Sequence, residues 1–347
     1  MLTFLDPAEE AIFARQGYVV RPVLDAHQID AARRALEDWA HDQYGAGLNG
    51  IPTQLSSGHF FSDMESDQTI RDDLTNRLFP IVDAAFRKGA GGAPPNETGV
   101  AVKKANAASL EFHQHTPMLM NPFSRHVLSW CSLEDCDETS GCMFVVPRSH
   151  SLYRQINIGG ERPFFSDYID VIIEKYAVPV PVKAGEAVYF DNLLLHGSYP
   201  NQRSVPRLAI LTSFVRDSAD KVGYRRADDG GIEVVGDHRE NHLYFRPEGM
   251  RNGRVLKRLP AWNRRATLEE FEALLECDLH PSEDFDPLEF LFGPEAPHKA
   301  SPPPISKRGP MARLAAKLLP GAIKPPLRRL MNGLGRGHSD HGSADNL

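Results

Sequence analysis

The 347-residue sequence predicts an α+β protein in which short strands form a sandwich or barrel and helices pack on it. Two observations carry this prediction. Short β-rich runs, separated by turn residues, fill the stretch between residues 100 and 215, as is typical of a sandwich or barrel. Apolar residues at helical spacing occur before and after that stretch.

Three helices and one strand are predicted in the first ninety residues. The helices cover residues 8–16, 27–44 and 67–87, and residues 18–22 form the strand. In the two longer helices apolar side chains recur every three or four residues, which is the spacing of one helix face. We therefore expect these faces to lie in the core.

Five strands and one later helix complete the predicted domain. The helix covers residues 267–275, and from residue 293 onward Pro, Gly and Ser accumulate. We expect a single domain over residues 1–292 and a mobile tail over 293–347. The predicted strands are 125–133, 142–146, 178–182, 187–190 and 208–215.

The charge is distributed unevenly. Residues 301–347 hold eight basic and two acidic residues, so this tail carries +6 and the remainder carries −13 of the net −7. An acidic body argues against nucleic acid as a partner. The tail is expected to be solvated, and the alternative is a contact with a membrane surface or another protein.

The four cysteines, Cys131, Cys136, Cys142 and Cys277, form no C-x-x-C pair. Reduced thiols are expected because a chain of this length needs no disulfides, and the first three are poorly spaced for structural zinc. The sequence shows no basic, apolar leader and no apolar run near the roughly 20 residues that span a bilayer. We expect a cytoplasmic protein, with peripheral membrane association through the tail as the alternative.

Two segments hold the candidate functional residues. Glu111, His113 and His115 alternate, so they share one face if a strand runs through them. His196 follows an apolar triplet, and Arg207 comes eleven residues later. Iron sites use two histidines and a carboxylate, and arginine pairs with carboxylates through two hydrogen bonds. The pattern indicates a mononuclear iron site beside a clamp for a 2-oxo diacid; the alternative is histidines that hydrogen-bond within the core.

A series of short motifs runs in a fixed order between Phe13 and Val215. The motifs are Phe13-x-x-x-Gly17-Tyr18-Val19-Val20, Phe112-His113-Gln114-His115, Ser129-Trp130-Cys131-Ser132, Gly141-Cys142-Met143-Phe144-Val145-Val146-Pro147-Arg148-Ser149-His150, His196-Gly197-Ser198 and Pro206-Arg207. Together they resemble the phytanoyl-CoA dioxygenase family of Fe(II)/2-oxoglutarate oxygenases.

This resemblance implies a fold and a set of site residues. The fold would be a double-stranded β-helix, a cupin-like jelly roll, with flanking helices and iron at the barrel mouth. His113 and His196 would be iron ligands. Arg207 with Ser198 would hold the C5 carboxylate of 2-oxoglutarate, and Lys103 or Lys104 would be a basic residue of the pocket, with Lys103 as our choice.

The sequence departs from the family pattern at one chemically important position. The family has His-Gln-Asp where this chain has His113-Gln114-His115. Imidazole is a good iron ligand but brings no negative charge. Ligation by three histidines is our first interpretation. The alternatives are that Glu111 supplies the carboxylate, that His115 holds water or only lines the site, or that catalysis has been lost.

These observations predict an Fe(II)/2-oxoglutarate-dependent dioxygenase. It would hydroxylate or otherwise oxidise a small organic substrate with O2, while 2-oxoglutarate is decarboxylated. Two alternatives stay open: a catalytically degenerate binding or accessory protein of the same fold, and a three-histidine oxygenase that does not use 2-oxoglutarate.

Overall fold

The computed structural model describes residues 6–95, 97–115, 125–152, 166–215, 222–236, 253–259 and 267–276. In these ranges the helices are α1 (Pro7–Gln16), α2 (Ala26–Tyr44), α3 (Gly47–Gly50), α4 (Gln68–Gly89), α5 (Ile169–Tyr176) and α6 (Leu268–Glu276). The strands are β1 (Tyr18–Pro22), β2 (His59–Phe61), β3 (Glu97–Lys103), β4 (Leu110–His113), β5 (His126–Ser132), β6 (Met143–Val145), β7 (Val178–Val180), β8 (Glu186–Asp191), β9 (His196–Ser198), β10 (Arg207–Val215), β11 (Val222–Arg226), β12 (Ile232–Gly236) and β13 (Arg254–Leu259).

Capping residues define the ends of the N-terminal helices. Asp6 accepts a hydrogen bond from the backbone N–H of Ala8 at the start of α1, and Gly17, with φ of 85°, ends that helix. Asp25 and Gln28 form a reciprocal capping box at the start of α2. The predicted helices of this region and the strand β1 are therefore confirmed, with ends shifted by at most two residues.

Two antiparallel sheets form the body of the protein. One has the strand order β1-β8-β5-β10-β3-β2, and the other has the order β4-β9-β6-β7. From β3 to β10 the chain passes repeatedly from one sheet to the other, since β3, β5, β8 and β10 lie in the first and β4, β6, β7 and β9 in the second. This winding is a double-stranded β-helix, so the predicted α+β jelly roll is confirmed.

Strand β10 shows how the six-stranded sheet separates two cores. Leu208 and Ile210 face a core that also contains Leu36 of α2 and Leu74 of α4. Ala209 faces the second core, which lies between the two sheets. Because side chains alternate along a strand, Arg207 shares the face of Ala209 and points between the sheets. The helices therefore cover one face of this sheet, and the other face lines the candidate site.

The C-terminal part adds elements beyond the β-helix. Strands β11, β12 and β13 form a separate antiparallel sheet that the sequence did not reveal. The predicted helix after residue 266 is confirmed as α6, and its Phe271 and Leu275 join the core between the sheets. The predicted tail lies outside the described residues, as does Cys277, and the division at residue 292 stays a prediction.

Two further findings bear on the expectations from composition. Cys131, Cys136 and Cys142 are buried free thiols, as expected for reduced cysteines. No helix among the described residues is both long and apolar enough to cross a bilayer.

Candidate metal centre and anion pocket

Strands β4 and β9 bring the two motif histidines together. His113 is the register partner of His196, and their ring centroids lie 4.3 Å apart. Strand β4 ends at His113, and the side-chain amide of buried Gln114 then donates to the backbone oxygen of Leu193, 2.6 Å away. This hydrogen bond connects the segment after β4 to the segment before β9. The ring of His115 lies 4.9 Å from that of His196 and 5.2 Å from that of His113.

Backbone carbonyls fix the orientation of two of these rings. The Nδ1–H of His113 donates to the carbonyl oxygen of Glu111 at 2.8 Å, and the Nδ1–H of His196 donates to that of Leu194 at 2.8 Å. A carbonyl oxygen can only accept, so the proton of each neutral ring lies on Nδ1. The lone pair of each Nε2 therefore remains available to a metal.

The third ring is oriented by a side chain. The Nδ1 of His115 lies 3.1 Å from the Oδ1 of Asn192, which acts as acceptor. Asn192 is buried, and its backbone N–H donates to the carbonyl oxygen of His126 at 2.9 Å. The amide thus gives His115 the same tautomer that carbonyls give the other two histidines. Metal-bound histidines commonly use their second nitrogen in this way.

The donor set fits a single metal ion. The potential ligand atoms of His113, His115 and His196 all lie within 4.8 Å of one another, and no other group of three or more such residues occurs among the described ones. Burial, and then the neighbouring His113, lowers the pKa of His115 to about 3, and burial lowers the pKa of the other two rings. All three are neutral imidazoles, the form that binds metals. Three nitrogen donors suit iron, zinc, copper or nickel.

Glu111, the alternative carboxylate ligand, lies outside the histidine group. Its side chain is exposed and is not part of the histidine group, whereas its backbone carbonyl orients His113. The register of β4 against β9 is irregular between Leu110 and His113, so simple alternation fails there. The structure therefore assigns Glu111 a backbone contact and brings His115 into the group.

A pair of buried cations lies on the neighbouring strands. Lys103 of β3 is the register partner of Arg207 of β10. The Nζ of Lys103 donates to the Oγ of Ser198 at 3.0 Å and to the backbone oxygen of Tyr199. Ser198 follows His196 by two residues on β9. The structure therefore brings together Lys103, Ser198 and Arg207, the three residues predicted to line the co-substrate pocket.

This cation pair is electrostatically incomplete. Burial, and then the charge of Arg207, lowers the pKa of Lys103 to about 6, and burial lowers the pKa of Arg207. Arg207 donates from Nη1 to the backbone oxygen of Gly141 at 3.2 Å, and its guanidinium carbon lies 4.8 Å from the Trp130 ring centroid. Its Nε, however, is buried and has no hydrogen-bond partner among the described residues. Buried cations and unpaired donors are costly, so the pocket suits an anion.

Two residues near this site were not predicted to be functional. Asn192 lies in a turn in which the Oδ1 of Asp191 accepts from the backbone N–H of Leu193 at 2.9 Å. The other residue is His59 of β2, which pairs with Lys103. Neither residue belongs to a local motif, because each meets its neighbours across a long sequence separation.

The part of the chain that holds these residues matches a known family. A family model described as phytanoyl-CoA dioxygenase (PhyH) matches residues 13–209. "Phytanoyl-CoA dioxygenase 1" of Oryza sativa subsp. japonica is 33% identical over 89 residues, which are 23% of this chain and 30% of the rice protein. The aligned stretch thus spans less than a third of that curated relative.

The chain is also similar to several solved structures. AviO1 from Streptomyces viridochromogenes Tue57 is 21% identical, with a TM-score of 0.42, over 62% of this chain and 97% of its own. The epimerase SnoN, in complex with Fe3+, alpha ketoglutarate and nogalamycin RO, is 24% identical, with a TM-score of 0.44, over 62% of this chain and 87% of its own. The matched family region runs from α1 into β10 and includes His113, His115 and His196, and on this evidence the chain belongs to the phytanoyl-CoA dioxygenase family.

Proposed function

We propose that this protein is an Fe(II)/2-oxoglutarate-dependent oxygenase with a three-histidine metal centre, which oxidises a small organic substrate with O2. One observation carries the proposal. The ligand atoms of three neutral imidazoles lie within 4.8 Å of one another, and Ser198, two residues beyond one of them, accepts a hydrogen bond from buried Lys103, the strand partner of Arg207. Two groups, a metal ion and an anion, would thus complete this region of the β-helix.

The residues divide into two sets with separate tasks. His113, His115 and His196 would hold Fe(II). Arg207 and Lys103 would hold the far carboxylate of 2-oxoglutarate and so orient its 2-oxo end toward the histidines. When bound, iron with the 2-oxo acid would supply O2 activation coupled to decarboxylation.

The third histidine changes the charge balance of this centre. Three neutral imidazoles leave the full double charge on the metal, and the guanidinium of Arg207 adds positive charge nearby. A carboxylate at position 115 would cancel one of these charges. The doubly negative co-substrate would cancel two, so metal and 2-oxoglutarate should strengthen each other's binding.

The proposal is tested by anaerobic titration of the apoprotein, first with Fe(II) and then with 2-oxoglutarate. We expect the visible charge-transfer band of a metal-bound 2-oxo acid in the wild type and a weaker band in His115→Ala. His41→Ala, an exposed histidine on α2, is the matched control and should behave as wild type. A folded wild-type protein that gives no band would overturn the proposal.

A binding or accessory protein without catalysis is the second candidate. It is favoured by the histidine at a position where the family has aspartate. His115→Asp separates the two functions through iron-dependent release of succinate from 2-oxoglutarate. Loss of existing turnover would support a true three-histidine enzyme, whereas a gain of turnover would support a decayed site.

A further inference from the structure

A third basic side chain lies in the same row of the sheet as the cation pair. His59 of β2 is the register partner of Lys103 on β3, and Lys103 is the register partner of Arg207 on β10. Directly opposed residues of antiparallel strands project on the same face, with Cβ atoms about 5 Å apart. His59, Lys103 and Arg207 therefore form a row across three strands, facing the space between the sheets.

The two ends of this row carry nitrogen atoms that lack partners. His59 is 1% exposed and Arg207 is 4% exposed. The Nε2 of His59 and the Nε of Arg207 are both buried, and neither has a hydrogen-bond partner in the part of the chain that the structure describes. Folded proteins rarely leave such groups unpaired, because a buried donor without an acceptor loses its hydrogen bond to water and gains nothing in return. Two of them, on either side of a buried lysine, indicate a ligand with several acceptor atoms.

The surroundings of His59 allow it to donate a hydrogen bond without adding charge. The Oγ of Ser57 lies 2.9 Å from its Nδ1, and when this hydroxyl donates to Nδ1 the ring proton lies on Nε2. Burial, followed by the charges of Lys103 and Arg207, lowers the pKa of His59 to about 3. The ring is therefore neutral, and it stacks on Phe61 with a centroid distance of 5.8 Å and an interplanar angle of 2°.

The turn before β2 holds the ring in this position. Gly58 has φ of 84°, and a Cβ there would lie 2.8 Å from that of Ala107, so the turn requires glycine. The backbone N–H groups of Gln54 and Leu55 both donate to the carbonyl oxygen of His59, at 2.8 and 3.3 Å. His59 therefore occupies a fixed place at the start of the strand.

We propose that His59 is a co-substrate-binding residue, whose Nε2–H donates a hydrogen bond to the carboxylate held by Lys103 and Arg207. This inference rests on the proposed function, because it takes that carboxylate to be the C5 group of 2-oxoglutarate. Lysine and arginine supply the charge, and His59 adds a directional donor. A carboxylate offers about four lone-pair sites, enough for all three residues.

The test compares two amide variants that differ in where they place a donor. His59→Gln places an amide NH2 close to the position of Nε2, whereas His59→Asn reaches only the position of Nδ1. The dissociation constant of 2-oxoglutarate is measured anaerobically on Fe(II)-loaded wild type and on both variants. Oxalate, which chelates iron but has no second arm to reach the row, serves as the control ligand.

We expect His59→Asn to weaken 2-oxoglutarate binding about tenfold or more, as for loss of a hydrogen bond to a charged group. His59→Gln should stay within about threefold of wild type, and oxalate affinity should change in neither variant. Equal 2-oxoglutarate affinity in wild type and His59→Asn would overturn the inference, as would an equal loss for oxalate. A wild type that binds oxalate but not 2-oxoglutarate would instead overturn the proposed function, and this inference with it.

Discussion

The two halves of the candidate site differ in what each lacks. At the histidine end, formed by His113, His115 and His196, every Nδ1 has an oxygen partner, and the three Nε2 lone pairs face one another. At the cation end, the row that contains Lys103 and Arg207, the residues supply donors and positive charge, and two buried nitrogens have no acceptor within the described ranges. The first half would be completed by a cation and the second by an anion. A metal chelated by a dicarboxylate satisfies both, and the halves can be tested independently.

The largest effect is expected from removing a ligand of the histidine end. His196→Ala deletes a ring that is buried and fixed by its own backbone contact. Loss of an outer-shell partner typically costs 10–100-fold in metal affinity, so loss of a ligand should cost more than about 100-fold. Fe(II) binding, measured by competition with a chelator, should fall accordingly and 2-oxoglutarate turnover should disappear. Unchanged metal affinity in the folded variant would exclude His196 as a ligand.

The next largest effect should come from the cation end and should leave the metal in place. Arg207→Ala removes a buried guanidinium, and truncating one side of a buried charge pair weakens binding by about 100-fold. We expect the dissociation constant of 2-oxoglutarate to rise by that factor while Fe(II) affinity, measured without co-substrate, stays unchanged. Exposed Arg34→Ala is the matched control. Activity that survives Arg207→Ala without any 2-oxo acid would favour an oxygenase that does not use this co-substrate.

The difference between the halves also explains what could be predicted from the sequence. His113, His196, Ser198 and Arg207 lie in local motifs, and strands such as β5 and β10 are rich in apolar residues. These elements could be recognised because the information is contained in neighbouring residues. The jelly roll followed from the resemblance that these motifs carry, and its winding confirms it.

The remaining site residues depend on pairing between distant segments. Asn192 meets His115 across 77 residues, and His59 meets the cation pair through the register of β2, β3 and β10. Sequence periodicity contains no register information between such strands. Glu111 was a reasonable alternative ligand under strict alternation, but the irregular register of β4 removes it from the histidine group.

A smaller effect is expected from the side chain that orients His115. Asn192→Ala removes the acceptor of the Nδ1 proton and leaves the ring free to change tautomer. Fe(II) affinity should fall about 10–100-fold, the usual effect of losing such a partner. Asn49→Ala, at an exposed asparagine, is the control. If Asn192→Ala and His115→Ala each reduce metal affinity but the double variant is no worse than His115→Ala, the two residues act as one unit. Additive losses would contradict this coupling.

The smallest expected effect is the uptake of a proton by Lys103 when the co-substrate binds. Its pKa is lowered to about 6 by burial and then by Arg207, so this lysine is mostly neutral at pH 7.5 in the free protein. A carboxylate placed beside it favours the charged form and raises its pKa, so binding takes up a proton. As pH rises above about 6, 2-oxoglutarate affinity should therefore fall, by at most about tenfold per pH unit.

Calorimetry in buffers of different ionisation enthalpy measures this uptake directly. We expect a proton count between zero and one at pH 7.5 in the wild type and a value close to zero in Lys103→Met. Arg207→Ala removes the nearest positive charge, so the pKa of Lys103 should rise in the free protein and the uptake at that pH should shrink. Proton uptake that is the same in wild type and Lys103→Met would assign the proton to another group and would leave the cation end without a titrating lysine.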